Sequence, residues 1–263
     1  MQYFVVDAFT GKLFTGNPAG VCLLDGWLDS ETMQSIAAEN NLSETAFIVK
    51  HESHYGLRWF TPEVEVDLCG HATLASAFVI YNYVDRDADA LRFETASGLL
   101  TVTKKDGLFE MDFPARKPVP TEITSQIVKA VSLPVLEAHS SRDLILLVEN
   151  ERLIRSFMPN FELLKQIDGY LGIVITAKGD DADFVSRFFT PAAGVPEDPV
   201  TGSAHSSLIP FWAERLGKDK MIARQLSQRG GTLFCENCGD RVRIAGEAVL
   251  YLRGEISAIL CGK

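Results

Sequence analysis

An internal repeat constrains the fold of this 263-residue chain more than any other sequence feature. The motif WFTP at 59–62 is followed by DLCGHA at 67–72, and FFTP at 188–191 is followed by DPVTGSA at 198–204. Both stretches run directly into an apolar segment typical of a helix. Phe60 and Phe189 are 129 positions apart, and Gly70 and Gly202 are 132 apart. Repeats of about 20–50 residues indicate solenoids, whereas one repeat of half the chain predicts two similar domains that face each other.

The pattern of elements supports this division into halves. Short strands separated by turns fill both halves, and the Asp106-Gly107 pair between apolar runs is a strong hairpin signal. Helices are expected at 30–40, 71–83, 121–131 and 203–216, the first with Asp29 or Ser30 as its N-cap. We predict an α+β fold with one domain at 1–116 and a second at 117–263, joined by a linker at 117–120. The last strand of the second domain is a candidate to return to the first.

Each repeated turn places a glycine just before a helix. The first N–H groups of a helix have no intrahelical partner, and the helix dipole makes that end electropositive. Glycine also lets a ligand approach the backbone closely. Two such turns facing one cleft predict a site that grips a carboxylate, although each turn taken alone is equally consistent with an ordinary helix start. The substrate-binding residues expected from the two turns are Gly70, His71, Ala72, Gly202, Ser203 and Ala204.

Glu44 is the candidate acid/base in the first half. It stands where the first helix gives way to a strand, among Leu42, Ala46 and Phe47. Apolar surroundings disfavour a charged carboxylate and suit it to proton transfer. The matching stretch of the second half, 168–173, has no carboxylate at that place. The alternative, left open by the sequence, is that Glu44 is an exposed charge at the entry of a strand.

Four segments together resemble one known family. They are GNPAGV (16–21), NLSETAF (41–47), FTPEVEVDLCGHATLA (60–75) and FFTPAAGVPEDPVTGSAH (188–205). The chain resembles the PhzF-like family, named for an isomerase of phenazine biosynthesis, over nearly its whole length. The resemblance implies a diaminopimelate epimerase-like fold, in which two pseudo-symmetric β-barrel-like domains each surround a central helix. It also implies a cofactor-independent isomerase.

The resemblance assigns roles to individual residues. Glu44 matches the glutamate that removes a proton from carbon and returns it elsewhere, while His71, Asp198 and Ser203 match polar residues that position the substrate and assist the transfer. N–H groups at these turns would also stabilise an enolate-like charge. The implied partner is a small carboxylated metabolite of unspecified identity, and no metal or organic cofactor is implied.

Cys69 supports a competing hypothesis. Relatives with this fold use one cysteine on each repeated turn, but the second turn here carries Thr201-Gly202-Ser203, so a two-thiol mechanism fails. A one-thiol racemase or dehydratase, with Thr201 opposite Cys69, stays open because a helix N-terminus can lower the pKa of a thiol. The ordinary alternative is that Cys69 is an inert, small apolar residue. A third hypothesis is a non-catalytic protein that binds a small molecule.

Composition excludes several other classes. The net charge of −10 argues against nucleic acid and anionic membrane surfaces as partners, since both need clustered Lys and Arg. The longest mostly apolar run, 72–84, is shorter than the ~20 residues of a membrane span. Five cysteines in a long chain, without the spacing of a disulfide framework, predict reduced thiols and a cytoplasmic protein. Cys235 and Cys238 lack the second pair of ligands that a zinc site needs. A homodimer is the working expectation for the assembly.

Overall fold

The computed structural model describes residues 1–257, so that Cys261 lies outside the described residues. The chain divides into two compact units, one formed by Met1–Met111 with the segment that begins at Gly246, the other by Asp112–Ala245. The predicted division at 116/117 lies five residues after this boundary, and the C-terminal strand is the one expected as a candidate to return to the first domain. That strand belongs with the first unit because it pairs with the first strand of the chain.

The elements of the first unit alternate short strands with two helices. In chain order they are β1 (Gln2–Ala8), β2 (Asn17–Leu24), α1 (Ser30–Asn40), β3 (Glu44–Lys50), β4 (Tyr55–Phe60), β5 (Glu65–Val66), α2 (Gly70–Val79), β6 (Ala90–Thr95), β7 (Gly98–Lys105) and β8 (Leu108–Pro114).

The second unit is built from a similar series. Its elements are β9 (Val119–Thr121), α3 (Ser125–Val131), β10 (Val135–Ser140), β11 (Leu144–Val148), α4 (Glu151–Ser156), α5 (Phe161–Leu164), β12 (Ile173–Lys178), β13 (Phe184–Thr190), β14 (Val195–Asp198), α6 (Gly202–Leu216), β15 (Lys220–Gln225), β16 (Gly231–Asn237) and β17 (Arg241–Gly246). The chain then continues into β18 (Ala248–Glu255) of the first unit.

The two units share one strand topology. In the first, the pairing order β18-β1-β2-β3-β4-β6-β7-β8 is antiparallel except for the parallel pairs β2–β3 and β4–β6. In the second, β9-β10-β11-β12-β13-β15-β16-β17 is antiparallel except for β11–β12 and β13–β15. The parallel pairs fall at the same places in both orders, and the short strands β5 and β14 pair with β4 and β13. The two-domain repeat predicted from the sequence is therefore present in the strand topology.

A buried helix forms the centre of each unit. Nine of the ten residues of α2 are buried, and the helix contacts β1, β2 and β3. In α6 eleven of fifteen residues are buried. A helix that is apolar on all sides can only be stable when it is surrounded. In the first unit α1 packs on the other side of the sheet, where Met33 and Ala37 meet Phe47 and Phe60. None of the described helices is long and apolar enough to cross a membrane.

Several predicted boundaries need correction. The helix expected at 71–83 is α-helical only through Val79 and ends in a wider turn at Ile80–Val84, where Asp85 N–H donates to Ile80 O. The helix expected at 121–131 begins at Ser125, because the Thr124 side chain caps it by accepting from Ile127 N–H. Part of the expected linker at 117–120 lies in β9, which tolerates Pro120 because an edge strand needs fewer N–H donors.

Other local predictions are confirmed. Asp29 caps α1, its carboxylate accepting from Thr32 N–H at 2.8 Å. Asp106 and Gly107 both have positive φ, 51° and 83°, as a tight hairpin turn of this kind requires. Cys238 lies exposed in the turn between β16 and β17, away from any paired-cysteine geometry with the buried Cys235.

Candidate active site

Glu44 is the first residue of β3, at the point where the chain leaves α1. That helix ends at Asn41, whose left-handed conformation (φ 49°) turns the backbone towards the strand. The Asn40 amide then donates to Thr45 Oγ1 at 3.2 Å and fixes the start of β3. Only 18% of the Glu44 side chain is exposed. The alternative of a solvated charge at a strand entry is therefore wrong.

His71, the second residue of α2, lies against this carboxylate. Its Nε2 is 3.0 Å from Glu44 Oε2, and 5% of its side chain is exposed. The other ring nitrogen, Nδ1, lies 3.1 Å from the Nδ2 atom of the buried Asn17, which begins β2. Because the Asn17 amide offers both a donor and an acceptor, it can pair with the neutral or the protonated ring. The first unit thus brings together the predicted residues Glu44 and His71 through a contact that aligns the imidazole.

The charge state of His71 follows from its neighbours. Burial by itself lowers the pKa of an imidazole, but the Cys69 sulfur and the Glu44 carboxylate beside it outweigh burial. The pKa of His71 consequently lies well above its usual value. The contact with Glu44 therefore favours the protonated form of the His71 ring.

Cys69 directly precedes α2 and points its sulfur at the same ring. Its Sγ lies 3.6 Å from His71 Nδ1, and the residue is buried. Burial raises the pKa of the thiol, the Glu44 carboxylate raises it further, and His71 opposes both. The net shift is upward, so the expectation that the helix start lowers the pKa of Cys69 is wrong. Loss of solvent outweighs the helix dipole here.

In both predicted anion-binding turns, the side chain of the residue before the helix does not cap the helix. Neither Cys69, which caps α2, nor Thr201, which caps α6, makes a side-chain capping hydrogen bond. At the start of α6 the N–H groups of the predicted residues Gly202 and Ala204 are thus not used by a cap of the usual kind, whereas at the start of α2 the Ala72 N–H interacts with the Cys69 sulfur and opposes the rise of its pKa.

In the second unit, Asp198 is tied into the turn that leads to α6. Thr201 Oγ1 donates to Asp198 Oδ2 at 2.5 Å. The buried Gln225 secures the same turn, since its Oε1 accepts from Thr201 N–H and its Nε2 donates to the Asp198 carbonyl. Asp198 and Thr201 therefore form one rigid element just ahead of the helix.

Ser203, the second residue of α6, has a partner that sequence reasoning missed. Arg142 Nη2 donates to Ser203 Oγ at 2.9 Å, and the same guanidinium pairs with the buried carboxylate of Asp143. Since Ser203 Oγ accepts from Arg142, its own O–H is available as a donor in another direction. Arg142 precedes β11, as Asn17 begins β2. In each unit, a residue at the start of the corresponding strand therefore contacts the side chain of the second residue of the central helix and orients it.

Both units also contain an Arg–Glu pair that braces the turn, again missed from the sequence. Arg58 of β4 makes a two-pronged contact with Glu65 of β5 at 2.6 and 2.7 Å. Arg187 of β13 does the same with Glu197 of β14 at 2.7 and 2.9 Å. The sequence does contain a signal for these pairs, because the arginines are 129 residues apart and the glutamates 132, the same offsets as in the rest of the repeat.

Strand register identifies the counterpart of Glu44 in the second unit. Thr45 pairs with Phe60, and Ile173 pairs with Phe189, the second copy of that phenylalanine. Glu44 therefore corresponds to Gly172. A Cβ at Gly172 would lie 2.2 Å from the Phe188 ring, so that any side chain there would require the ring to shift. The prediction that the second half carries no carboxylate at this place is confirmed.

One cluster among residues 1–257 could hold a metal ion. Glu44, Cys69 and His71 each offer a ligand atom, and these atoms lie within 4.8 Å of one another.

Comparisons with known proteins agree with the fold. The family model described as phenazine biosynthesis-like protein matches residues 6–254. An uncharacterized isomerase of Pseudomonas aeruginosa is 49% identical over 97% of this chain and 98% of its own. A crystal structure of a PhzF-family protein from Enterococcus faecalis superposes with a TM-score of 0.95, at 47% identity, over 97% of this chain and 98% of that one.

A more distant structure establishes the wider fold class. A probable proline racemase from Agrobacterium radiobacter matches with a TM-score of 0.65 at 12% identity, over 98% of this chain and 93% of its own. At that identity the likeness concerns the fold alone, which is the epimerase-like arrangement expected from the sequence. The extent of the family match and the identity to named isomerases are decisive: the chain belongs to the PhzF-like, phenazine biosynthesis-like family and is an enzyme of the isomerase class.

Proposed function

We propose that this isomerase moves a proton on a small carboxylated substrate, with Glu44 as the general acid/base. The observation that carries the proposal is the largely buried Glu44 carboxylate, 3.0 Å from the His71 imidazole at the start of α2. A carboxylate in this place can accept a proton from a substrate, and its burial limits the access of competing water.

The proposed reaction has two proton transfers. Glu44 removes a proton from a carbon of the substrate, leaving an enolate-like anion, and then returns the proton to a different carbon. The His71 imidazolium keeps its own proton and stabilises the negative charge as it develops. The N–H groups at the start of α2 supply further donors of fixed orientation. Atoms and charge balance without any external reactant.

Residues of the second unit have supporting roles in this proposal. Asp198 and Ser203 position the substrate, and the N–H groups of Gly202 and Ala204 bind its carboxylate as they bind anions at other helix starts. The support for Ser203 is the Arg142 contact, which leaves its hydroxyl proton available for donation. The support for Asp198 is its rigid link to Thr201.

The single-thiol mechanism is the second candidate, favoured by the 3.6 Å contact between Cys69 and His71. A thiol must be deprotonated to act as a base, and the raised pKa of Cys69 keeps it protonated. Glu44 lies against the same imidazole, with its Oε2 3.0 Å from His71 Nε2. We therefore rank the glutamate mechanism first.

A pair of variants tests the proposal. A panel of small carboxylated metabolites is incubated with the protein in D2O, and NMR reports isomerisation and uptake of deuterium at carbon. With an active compound found, Glu44→Gln should lower kcat by about 10²–10⁴-fold, the usual contribution of general acid/base catalysis. The matched variant Cys69→Ser should keep substantial activity.

Circular dichroism and thermal unfolding serve as the control that both variants fold. The opposite pattern, an active Glu44→Gln beside an inactive but folded Cys69→Ser, would replace the glutamate mechanism with the thiol mechanism. Incomplete deuterium uptake would indicate direct internal return of the proton and is compatible with the proposal.

A further inference from the structure

Four large apolar side chains are exposed on the first unit, two in the loop between β1 and β2 and two on β18. They are Leu13 (43% exposed), Phe14 (68%), Tyr251 (54%) and Leu252 (40%). The rings of Phe14 and Tyr251 are in edge contact, with 5.8 Å between their centroids, so the two chain segments meet there. We call these four residues the apolar patch. Contiguous exposed apolar surface of this kind marks sites of interaction.

The apolar patch lies on the face of the sheet that is turned away from α2. Phe4 of β1 packs on the wide turn that follows α2, and successive residues of a strand face opposite sides, so Val5 and Asp7 face away from the helix. Leu252 is directly opposite Val5, and Phe14 N–H donates to Asp7 Oδ2 at 3.0 Å. On this face α1 packs over β3 and β4, while the side chains of the patch stay exposed.

Two irregularities of the backbone turn the aromatic rings towards solvent. Phe14 has a φ of 68°, which is rare for a bulky residue, and the loop is held by the Asp7 contact and by a 2.6 Å hydrogen bond between the Thr10 and Thr15 hydroxyls. On β18 the register with β1 shifts at Tyr251, which is the extra residue of a bulge, and bulges commonly re-aim a side chain. Strain of this kind concentrates at functional positions. Since the Phe14 ring gains little burial within the chain, a contact with another molecule explains it best.

Two opposite charges border the patch. Lys12 is exposed and directly precedes Leu13 in the loop. Glu247, also exposed, lies beside the same loop, because its Oε2 would be 3.0 Å from a Cβ at Gly11 and its carbonyl accepts from Thr10 N–H. A surface that carries one cation and one anion around an apolar centre is complementary to itself. When two copies are related by a two-fold axis, Lys12 of each copy can face Glu247 of the other.

We propose that two copies of this chain associate through the apolar patch as a two-fold symmetric dimer, with Phe14 and Tyr251 at the centre of the interface. Aromatic side chains at the centre of an interface commonly supply most of its binding energy. The copies meet face to face, because the bulge in β18 opposes continuous pairing of its edge with another strand. The proposal gives a surface to the homodimer expected from the sequence, and it does not depend on the function proposed above.

Sedimentation velocity of the full-length protein over the micromolar range measures the association. The unaltered protein should be a dimer that dissociates on dilution. Phe14→Asn removes the ring and keeps a residue that tolerates positive φ, so the fold is retained. It should raise the dissociation constant of the dimer by ~30-fold or more, the effect of losing a central contact. Tyr251→Ser should act in the same direction. Met158→Asn, which changes a side chain 86% exposed in the second unit, is the matched control and should dimerise as the unaltered protein does.

A charge exchange tests the two-fold arrangement directly. Lys12→Glu and Glu247→Lys should each weaken self-association by about 3–10-fold at low salt, because each places like charges opposite one another twice in the dimer. An equimolar mixture of the two variants should associate as strongly as the unaltered protein, since every pair across the interface is again of opposite charge. Contacts within one chain could not be restored by mixing.

Four outcomes would overturn the proposal. They are an unaltered protein that stays monomeric, which would leave the patch to a different partner; a dimer that survives unchanged in a folded Phe14→Asn; a dimer lost in Met158→Asn; and a mixture of the charge variants that associates no better than either alone. Circular dichroism and thermal unfolding establish that each variant is folded.

Discussion

Replacement of Glu197 by glutamine would measure how strongly the second unit depends on its Arg–Glu pair. Arg187 donates to both oxygens of Glu197, and its Nη1 also donates to the carbonyls of Ile154 and Phe157. Only 11% of the arginine side chain and 18% of the glutamate are exposed. Glutamine keeps the size of the side chain but leaves the guanidinium with no compensating charge.

The expected loss of stability in Glu197→Gln follows from the burial of the pair. Removing one partner of a buried ion pair costs about 3–5 kcal/mol, mainly because the remaining charge is left desolvated. The first unit supplies a matched pair, in which 28% of Arg58 and 39% of Glu65 are exposed. Pairs of that exposure contribute about 0–1 kcal/mol. Glu197→Gln should therefore destabilise the protein several-fold more than Glu65→Gln.

Urea unfolding followed by circular dichroism gives the free energies, and hydrogen exchange at 195–198 and 65–66 localises each effect. Hydrogen exchange is needed because a chain of two units need not unfold in one step. Equal losses of stability in the two variants would refute the reasoning, since burial would then not determine the cost. A stabilised Glu197→Gln would do so as well.

The remaining predictions concern His205 and Gly172. Burial lowers the pKa of His205 to about 4, while its Nδ1–H donates to the Thr201 carbonyl. The unfolded chain therefore binds a proton that the folded one does not between pH 6.5 and about 4, and stability should fall by roughly 3 kcal/mol as the pH drops through that window. In His205→Asn, the free energy of unfolding should depend less on pH over the same range. Gly172→Ala should cost about 1–3 kcal/mol by overpacking against Phe188. Phe188→Leu in the same chain should recover part of the loss, and no recovery in thermal unfolding would contradict the assigned clash.

The features that could be predicted from the sequence are those that depend on residues close together in the chain. Repeated motifs, glycines before helices and the Asp106-Gly107 turn each act over a few residues, so the two units and their central helices could be anticipated. The same holds for Glu44, whose apolar neighbours are adjacent in the chain. A partner 61 residues away, such as Arg142 for Ser203, leaves no local pattern.

The missed elements have physical explanations of the same kind. The helices α4 and α5 span six and four residues, too few for a hydrophobic period to be evident. The return of the last strand, by contrast, is among the expectations from the sequence, and β18 does pair with β1 from the opposite end of the chain. Its counterpart in the second unit is β9, so the order of strands is the same in both units although the connection differs.

Comparison of the two units distinguishes the features that support the fold from the side chains that carry reactive groups. The Arg–Glu pair, the glycine before the helix and the strand order occur in both, and they hold the backbone of the turn. The positions that differ are those that carry reactive groups: Glu44 corresponds to Gly172, and His71 corresponds to Ser203. Since the strand order is the same, a difference between the units in the proposed proton transfer would come from these side chains. Any side chain at the place of Gly172 would require the Phe188 ring to shift, because a Cβ there would lie 2.2 Å from it. In the proposed mechanism the base is therefore placed in one unit by packing as well as by the choice of residue.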